Sequence, residues 1–127
     1  MKIWTGAVAA VVMGLAVPQA FAQSGDAGRG QRLFNQQCRV CHTLEQGGAS
    51  VAGPNLHGLF GRKAGTAPGF EFSEAMTKSG IVWDETTLAE YNRDPKAKVP
   101  GTKMVYGGMK QPGQLADLVA YLKQATQ

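Results

Sequence analysis

Two cysteines and a histidine stand close together in the chain, as Cys38, Cys41 and His42. The C-x-x-C-H spacing is typical of covalent haem attachment. Two thiols at this spacing can form thioether bonds with the two vinyl groups of one haem, and the adjoining histidine can place an imidazole nitrogen on the iron. The chain has no other cysteine. The motif therefore predicts one haem c bound through Cys38 and Cys41, with His42 as an axial ligand.

The same two cysteines also fit a redox disulfide or half of a zinc site. A thioredoxin-like disulfide needs a βαβ context, whereas this chain has 17 glycines and few β-branched runs. A zinc site needs two more ligands, and after His42 the chain offers only His57 and scattered carboxylates. Both alternatives are weaker than haem attachment.

The second axial position of the iron has four candidate ligands downstream of the motif: Met76, Met104, Met109 and His57. Met104 is the best candidate, because it lies in a loop that Pro100 stiffens. This loop is far enough downstream of the motif for the chain to return across the haem. Met76 and Met109 are expected to pack in the core. His57 is interpreted as a surface histidine, which leaves bis-histidine ligation as the weaker alternative.

Short helices separated by long loops are predicted to carry these side chains. Residues 26–37 repeat apolar positions at helical spacing, with Ser24 or Gly25 as N-cap, so this helix delivers Cys38 at its C-terminal end. Residues 45–72 are rich in glycine and show no sustained period. So long a loop is expected to wrap a large rigid group, which replaces part of a protein core.

Three further helices are predicted in the second half. Ser73 caps a short one, Asp84 caps another that ends near Arg93, and Pro112 opens the last, which carries an apolar stripe. Gly30 in the first helix is expected to let the last helix approach closely, at Leu118 and Tyr121. No strand pattern is evident, so the predicted fold class is all-α with long loops.

The first 22 residues have the features of a cleaved signal peptide. Lys2 precedes an apolar run over residues 3–17, and residues 20–22 form an A-x-A cleavage site. The apolar run has 15 residues, fewer than the ~20 of a spanning helix, so an uncleaved anchor is the weaker alternative. We expect one domain, residues 23–127, exported to the periplasm, with 12 basic and 9 acidic residues and a net charge of +3. No basic run suggests nucleic-acid binding.

Nearly the whole of that domain resembles the class I cytochromes c, both the mitochondrial protein and its short bacterial periplasmic relatives. The matching segments are residues 38–43, 53–62, 67–70, 100–104 and 117–123. The resemblance implies the cytochrome c fold, with crossing terminal helices, and His42 with Met104 as the axial pair. It also implies that the Pro54 carbonyl accepts the other imidazole N–H, that Trp83 and Arg62 lie beside the haem propionates, and that Tyr91 lies near the Met104 sulfur.

Several positions depart from the family's pattern. Phe72 and Met76 stand where the family commonly has a tyrosine and an asparagine, which removes polar groups from the haem pocket; we hypothesise that Met76 packs dry against the haem. Tyr106 replaces a phenylalanine that usually follows the methionine ligand. The lysines of the partner face are also fewer, since non-lysine residues occupy three of the usual lysine positions: Gln37, Val51 and Ala97.

The function predicted from these features is electron transfer and not catalysis. With both axial positions filled there is no open iron site for a peroxidase or a gas sensor. We expect a soluble periplasmic carrier that moves single electrons between membrane complexes such as a cytochrome bc complex and a terminal oxidase or photosynthetic reaction centre. Its docking on membrane proteins would be transient, and a monomer is expected.

Overall fold

The computed structural model describes residues 25–127 together with Gly14, so the predicted signal peptide and its cleavage site otherwise lie outside the described residues. Five helices are present in this part: α1 (Ala27–Gln37), α2 (Glu74–Thr77), α3 (Glu85–Arg93), α4 (Pro95–Lys98) and α5 (Pro112–Ala125). Over residues 25–127 there is no strand, only an isolated bridge between Lys63 and Val82. The all-α prediction is confirmed. No helix within the described residues is long and apolar enough to cross a membrane.

Helix α1 begins one residue later than expected, and its cap differs from the prediction. Asp26 is the N-cap, and its carboxylate accepts a hydrogen bond from the Arg29 backbone N–H at 2.7 Å. The prediction of Ser24 or Gly25 was wrong because the Asp26 carboxylate can satisfy an unpaired N–H of the first turn. The helix ends at Gln37 and Cys38 is its C-cap, whose backbone N–H donates to the Phe34 carbonyl, so the helix end delivers the first cysteine as predicted.

Helices α1 and α5 pack directly against each other. A Cβ atom built on Gly30 would lie 1.9 Å from the Asp117 carbonyl oxygen and 2.8 Å from Tyr121 Cβ. The predicted close approach at Gly30 is therefore confirmed, although the Asp117 backbone makes the nearest contact and not Leu118. The rings of Phe34 and Tyr121 extend the contact, with their centroids 5.8 Å apart.

A polar cluster closes one edge of this helix pair. The Asp117 carboxylate accepts hydrogen bonds from the Asp26 backbone N–H at 2.7 Å and from Arg29 Nε at 2.9 Å. Only 10% of the Asp117 side chain is exposed. The Arg29 hydrogen bond, helped by the Asp26 N–H, lowers the pKa of Asp117 below its usual value, despite the opposing effect of burial.

The short helices have the predicted N-caps. Ser73 Oγ accepts from the Met76 N–H at 3.1 Å, and Asp84 forms a capping box with Thr87 at the start of α3. Pro95 follows the end of α3, as predicted, because proline cannot continue the hydrogen-bond ladder. It also opens the short helix α4, which was not predicted.

Two groups of buried apolar residues form the core of the described chain. One joins the long loop to α3 and α5, and it includes Trp83, Leu88 and Tyr91. The other lies between α1 and α5, and it includes Phe34, Leu115 and Leu118. Members of both groups, among them Trp83, Tyr91, Phe34 and Leu118, line a common cavity.

Candidate haem-binding site

An apolar cavity of about 390 Å³ lies between the end of α1, the long loop, α2, α3 and the loop that precedes α5. All four residues that the sequence identified as haem-binding candidates line it: Cys38, Cys41, His42 and Met104. The chain thus brings residues more than 60 positions apart to the wall of one cavity.

The two cysteines are unpaired thiols at the cavity wall. The backbone N–H groups of Cys41 and His42 both donate to the Cys38 carbonyl at 3.0 Å, so the motif forms a single tight turn after α1. Burial, and to a smaller extent the charge of Cys41, raises the pKa of the Cys38 thiol to about 11. This thiol is therefore neutral at physiological pH in the protein alone.

His42 is held in a defined orientation by its neighbours. Its Nδ1 donates a hydrogen bond to the Pro54 carbonyl at 2.8 Å, the contact that the resemblance implied. A Cβ atom on Gly53 would lie 2.6 Å from His42 Cε1, so only glycine lets the backbone pass this close to the ring. Burial lowers the pKa of His42, while the Pro54 hydrogen bond opposes the shift. The imidazole is therefore neutral, with Nε2 unprotonated and able to bind a metal.

Only two of the four candidates for the second axial ligand lie at the cavity. Met104 and Met76 line the cavity, whereas Met109 and His57 do not. Met109 is buried between α1 and α5, as expected for core packing. Met76 is buried too, and it packs both in the core and against the cavity.

The segment before Met104 is fixed by a tyrosine. The Tyr91 hydroxyl forms a hydrogen bond of 2.6 Å with Thr102 Oγ1, which in turn accepts from the Met104 N–H at 3.3 Å. The Tyr91 ring also packs on Trp83, with centroids 5.3 Å apart. Burial raises the pKa of Tyr91, against the opposing Thr102 hydrogen bond, so its hydroxyl stays protonated and available as a donor.

The charged side chains that line the cavity are both cationic, Arg62 and Lys103, and no carboxylate is among the lining residues of the described chain. Arg62 donates to the His57 carbonyl and lines the cavity together with Trp83. The cavity can therefore accept an apolar group that carries acidic substituents. Phe72 and Met76 both line the cavity. These are the two positions at which the departures from the family pattern led us to expect fewer polar groups.

The residues present fit a haem c. Two free thiols can form thioethers, a neutral imidazole and a thioether sulfur are available to iron, and the surrounding wall is apolar. Within the described chain, no three histidine, cysteine or carboxylate side chains form a group able to hold a metal ion.

Some contacts that shape the site were not predicted from the sequence. Gly53 admits the His42 ring, Thr102 links Tyr91 to the Met104 segment, and the Tyr106 hydroxyl donates to Gln37 Oε1 across the cavity mouth. The Gly53-Pro54 pair was visible in the sequence as a turn signal. The other two contacts join residues that are far apart in sequence or lie in an aperiodic loop, so no local pattern could have indicated them.

Comparison with known proteins agrees with this geometry. The family model described as "Cytochrome c" matches residues 27–126. The chain is 51% identical to a cytochrome c of Chlamydomonas reinhardtii, over 84% of this chain and 96% of that protein. It is also 49% identical to a cytochrome c2 of Blastochloris viridis, over 87% of this chain and 86% of that protein.

The fold and the cavity define a small helical protein whose interior has room for one apolar prosthetic group beside two cysteines. The chain belongs to the cytochrome c family. It is accordingly a haem-based electron carrier and not an enzyme, and it carries one haem c attached through Cys38 and Cys41. Members of the family move electrons between redox complexes.

Proposed function

We propose that this protein is a soluble periplasmic carrier of single electrons whose haem iron is bound by His42 and Met104. The observation that carries the proposal is that both side chains line the same cavity as the two attachment cysteines, whereas Met109 and His57 lie elsewhere. Met76 also reaches the cavity, but it is buried in the core on α2, whereas Met104 is only partly buried and lies in a loop.

The haem supplies an iron that takes up and releases one electron between its ferric and ferrous states. The chain's own groups keep that site closed. His42 offers a neutral imidazole whose direction is set by Pro54, and the Pro54 hydrogen bond strengthens it as a donor to the metal. Met104 offers its sulfur from a segment that Tyr91 and Thr102 restrain.

The apolar wall of the cavity favours the less charged ferrous state. Phe72 and Met76 present no hydrogen-bonding group there beyond a weakly accepting sulfur, so little internal water can be held beside them. Methionine ligation acts in the same direction, because thioether sulfur raises the potential relative to a second histidine.

The proposed mature protein is residues 23–127, released in the periplasm after cleavage of residues 1–22. The A-x-A sequence at residues 20–22 and the short apolar run before it support cleavage. Intact mass spectrometry tests this directly, since the purified protein should lack the first 22 residues and carry the mass of one haem. A full-length mass would support a membrane-anchored form instead.

The proposed partners are membrane complexes, a cytochrome bc complex as donor and a terminal oxidase or photosynthetic reaction centre as acceptor. Two strongly exposed valines, Val40 (85%) and Val105 (99%), lie at the cavity mouth near the cationic Lys103. Such a surface suits brief docking, with charge guiding the approach and apolar contact forming last.

The functional test is a redox titration of the purified protein followed by optical spectra. We expect a single one-electron transition, a weak long-wavelength band in the ferric protein from methionine ligation, and no carbon monoxide binding after reduction. Turnover with isolated membranes then identifies the partners. Rapid carbon monoxide binding by the untreated ferrous protein would contradict the proposal, because it requires a vacant position on the iron.

A further inference from the structure

The segment that carries Met104 is anchored at both ends but has few contacts between them. On one side Thr102 is bonded to Tyr91, and on the other the Met109 N–H donates to the Asn92 carbonyl at 2.8 Å. Gly108 lies against the Arg93 carbonyl so closely that a Cβ atom would be only 2.1 Å from that oxygen. Residues 104–107 must therefore cross the cavity mouth between two fixed points.

One long-range hydrogen bond crosses the mouth from this segment. The Tyr106 hydroxyl donates to Gln37 Oε1, at the last residue of α1 and directly before Cys38. Among the described residues it is the only hydrogen bond that Val105, Tyr106 or Gly107 makes. Both Tyr106 and Gln37 line the cavity.

The Tyr106 ring makes a separate, apolar contribution. It packs partly buried against the residues between α1 and α5. Because the ring alone can fill this position, the hydroxyl is not needed for packing. Its hydrogen bond instead ties the segment to the helix that delivers the first attachment cysteine.

We propose that Tyr106 and Gln37 form a latch that holds the Met104 segment closed across the cavity mouth. The two are positioning residues, since neither is itself a ligand. Because a partly exposed hydrogen bond has a modest net effect, the latch should lower the opened fraction of the segment by about threefold to tenfold. The inference rests on the proposed ligation of the iron by Met104.

The test measures how often Met104 leaves the iron in the ferric holoprotein. Imidazole can bind only when that position is vacant, so the binding rate at saturating imidazole reports the opening rate. Tyr106→Phe removes the hydroxyl and keeps the ring, and Gln37→Ala removes the acceptor. We expect each variant to open about threefold to tenfold faster than the wild type. Gln37→Glu keeps an acceptor oxygen and should remain close to the wild type.

Matched controls separate the latch from a general loss of stability. Tyr121→Phe removes a hydroxyl that has no hydrogen bond within the described chain, and Gln36→Ala truncates the neighbouring exposed glutamine on α1. Both controls should open at the wild-type rate. The double variant of Tyr106→Phe with Gln37→Ala should open no faster than either single variant, because both changes remove the same bond.

Amide hydrogen exchange at Met104, whose N–H donates to Thr102 Oγ1 at 3.3 Å, gives a second readout that does not rely on imidazole binding to the iron. Exchange there should accelerate in Tyr106→Phe and Gln37→Ala but not in the controls. Wild-type behaviour of Tyr106→Phe in both measurements, or additive effects in the double variant, would overturn the latch. If the wild-type protein lacked the methionine absorption band, the proposed axial pair would fail, while exchange at the Met104 amide would still decide the latch.

Discussion

Single residues determine the chemistry of the cavity, and His42 illustrates how. Its ring is partly buried, which lowers its pKa and favours the neutral form. One carbonyl orients the ring, and Gly53 leaves room for it that a side chain would fill. The C-x-x-C-H pattern alone predicts this residue as an axial ligand. The orientation could not be read from that pattern, because it depends on Gly53 and Pro54, eleven and twelve residues further along the chain.

Met76 provides a residue-scale prediction about the reduction potential. Replacing it with asparagine adds a polar group to the cavity wall, which stabilises the more highly charged ferric state. We expect Met76→Asn to lower the midpoint potential. The shift should be roughly 40 mV for each kcal/mol by which the substitution changes the free-energy difference between the ferric and ferrous states. Met76→Leu is the matched apolar control and should shift it much less. If Met76→Asn left both the potential and the absorption band of the methionine ligand unchanged, the hypothesis that Met76 packs against the haem without water would be refuted.

At the scale of elements, the helices were more predictable than the loops. The positions of Ser73, Asp84 and Pro112 located three helix starts, because capping and proline chemistry are local. The short helix α4 was missed because Pro95 was interpreted only as a stop signal. Glycine-rich residues 45–72 showed no period, so their path around the cavity could be expected only from the size of the haem.

The contact between α1 and α5 gives a prediction about stability. Gly30→Ala places a methyl group within 1.9 Å of the Asp117 carbonyl oxygen, so the two helices must separate. We expect a loss of about 3 kcal/mol in the free energy of unfolding, measured by denaturant titration of the holoprotein. Gly113→Ala is the control, since nothing lies within 4 Å of that position in α5. A Gly30→Ala protein as stable as the wild type would contradict this packing.

The Asp117 cluster predicts how stability depends on pH. Arg29 and the Asp26 N–H lower the folded-state pKa of Asp117, so its ionised form stabilises the fold above the ordinary aspartate pKa of about 3.9. This contribution should disappear as the pH falls through the lowered pKa. We therefore expect Asp117→Asn to be less stable than the wild type at pH 7, with the difference shrinking in acid. A difference that stays constant from pH 7 to pH 2 would exclude a role for the Asp117 charge.

At the scale of the whole molecule, the cavity mouth combines exposed valines with a modest positive charge. Arg39 adjoins Val40, is exposed, and has no ion-pair partner within the described residues. We expect Arg39→Gln to slow electron transfer to the isolated membrane partner by about twofold at low ionic strength, with the difference vanishing at high salt. Lys78→Gln is the control, since Lys78 already pairs with Glu74. Equal rates for both variants at low salt would place the docking surface elsewhere.

His42 and Met104 are proposed to close the iron site from two sides, and substitution of the methionines tests this most directly. Met104→Leu and Met109→Leu each replace a sulfur with a hydrocarbon of similar size, but only Met104 lines the cavity. The ferric spectrum should lose its weak long-wavelength band in Met104→Leu alone, and that variant alone should bind carbon monoxide when reduced. If the band persisted in Met104→Leu, or vanished in Met109→Leu instead, the proposed axial pair would be wrong.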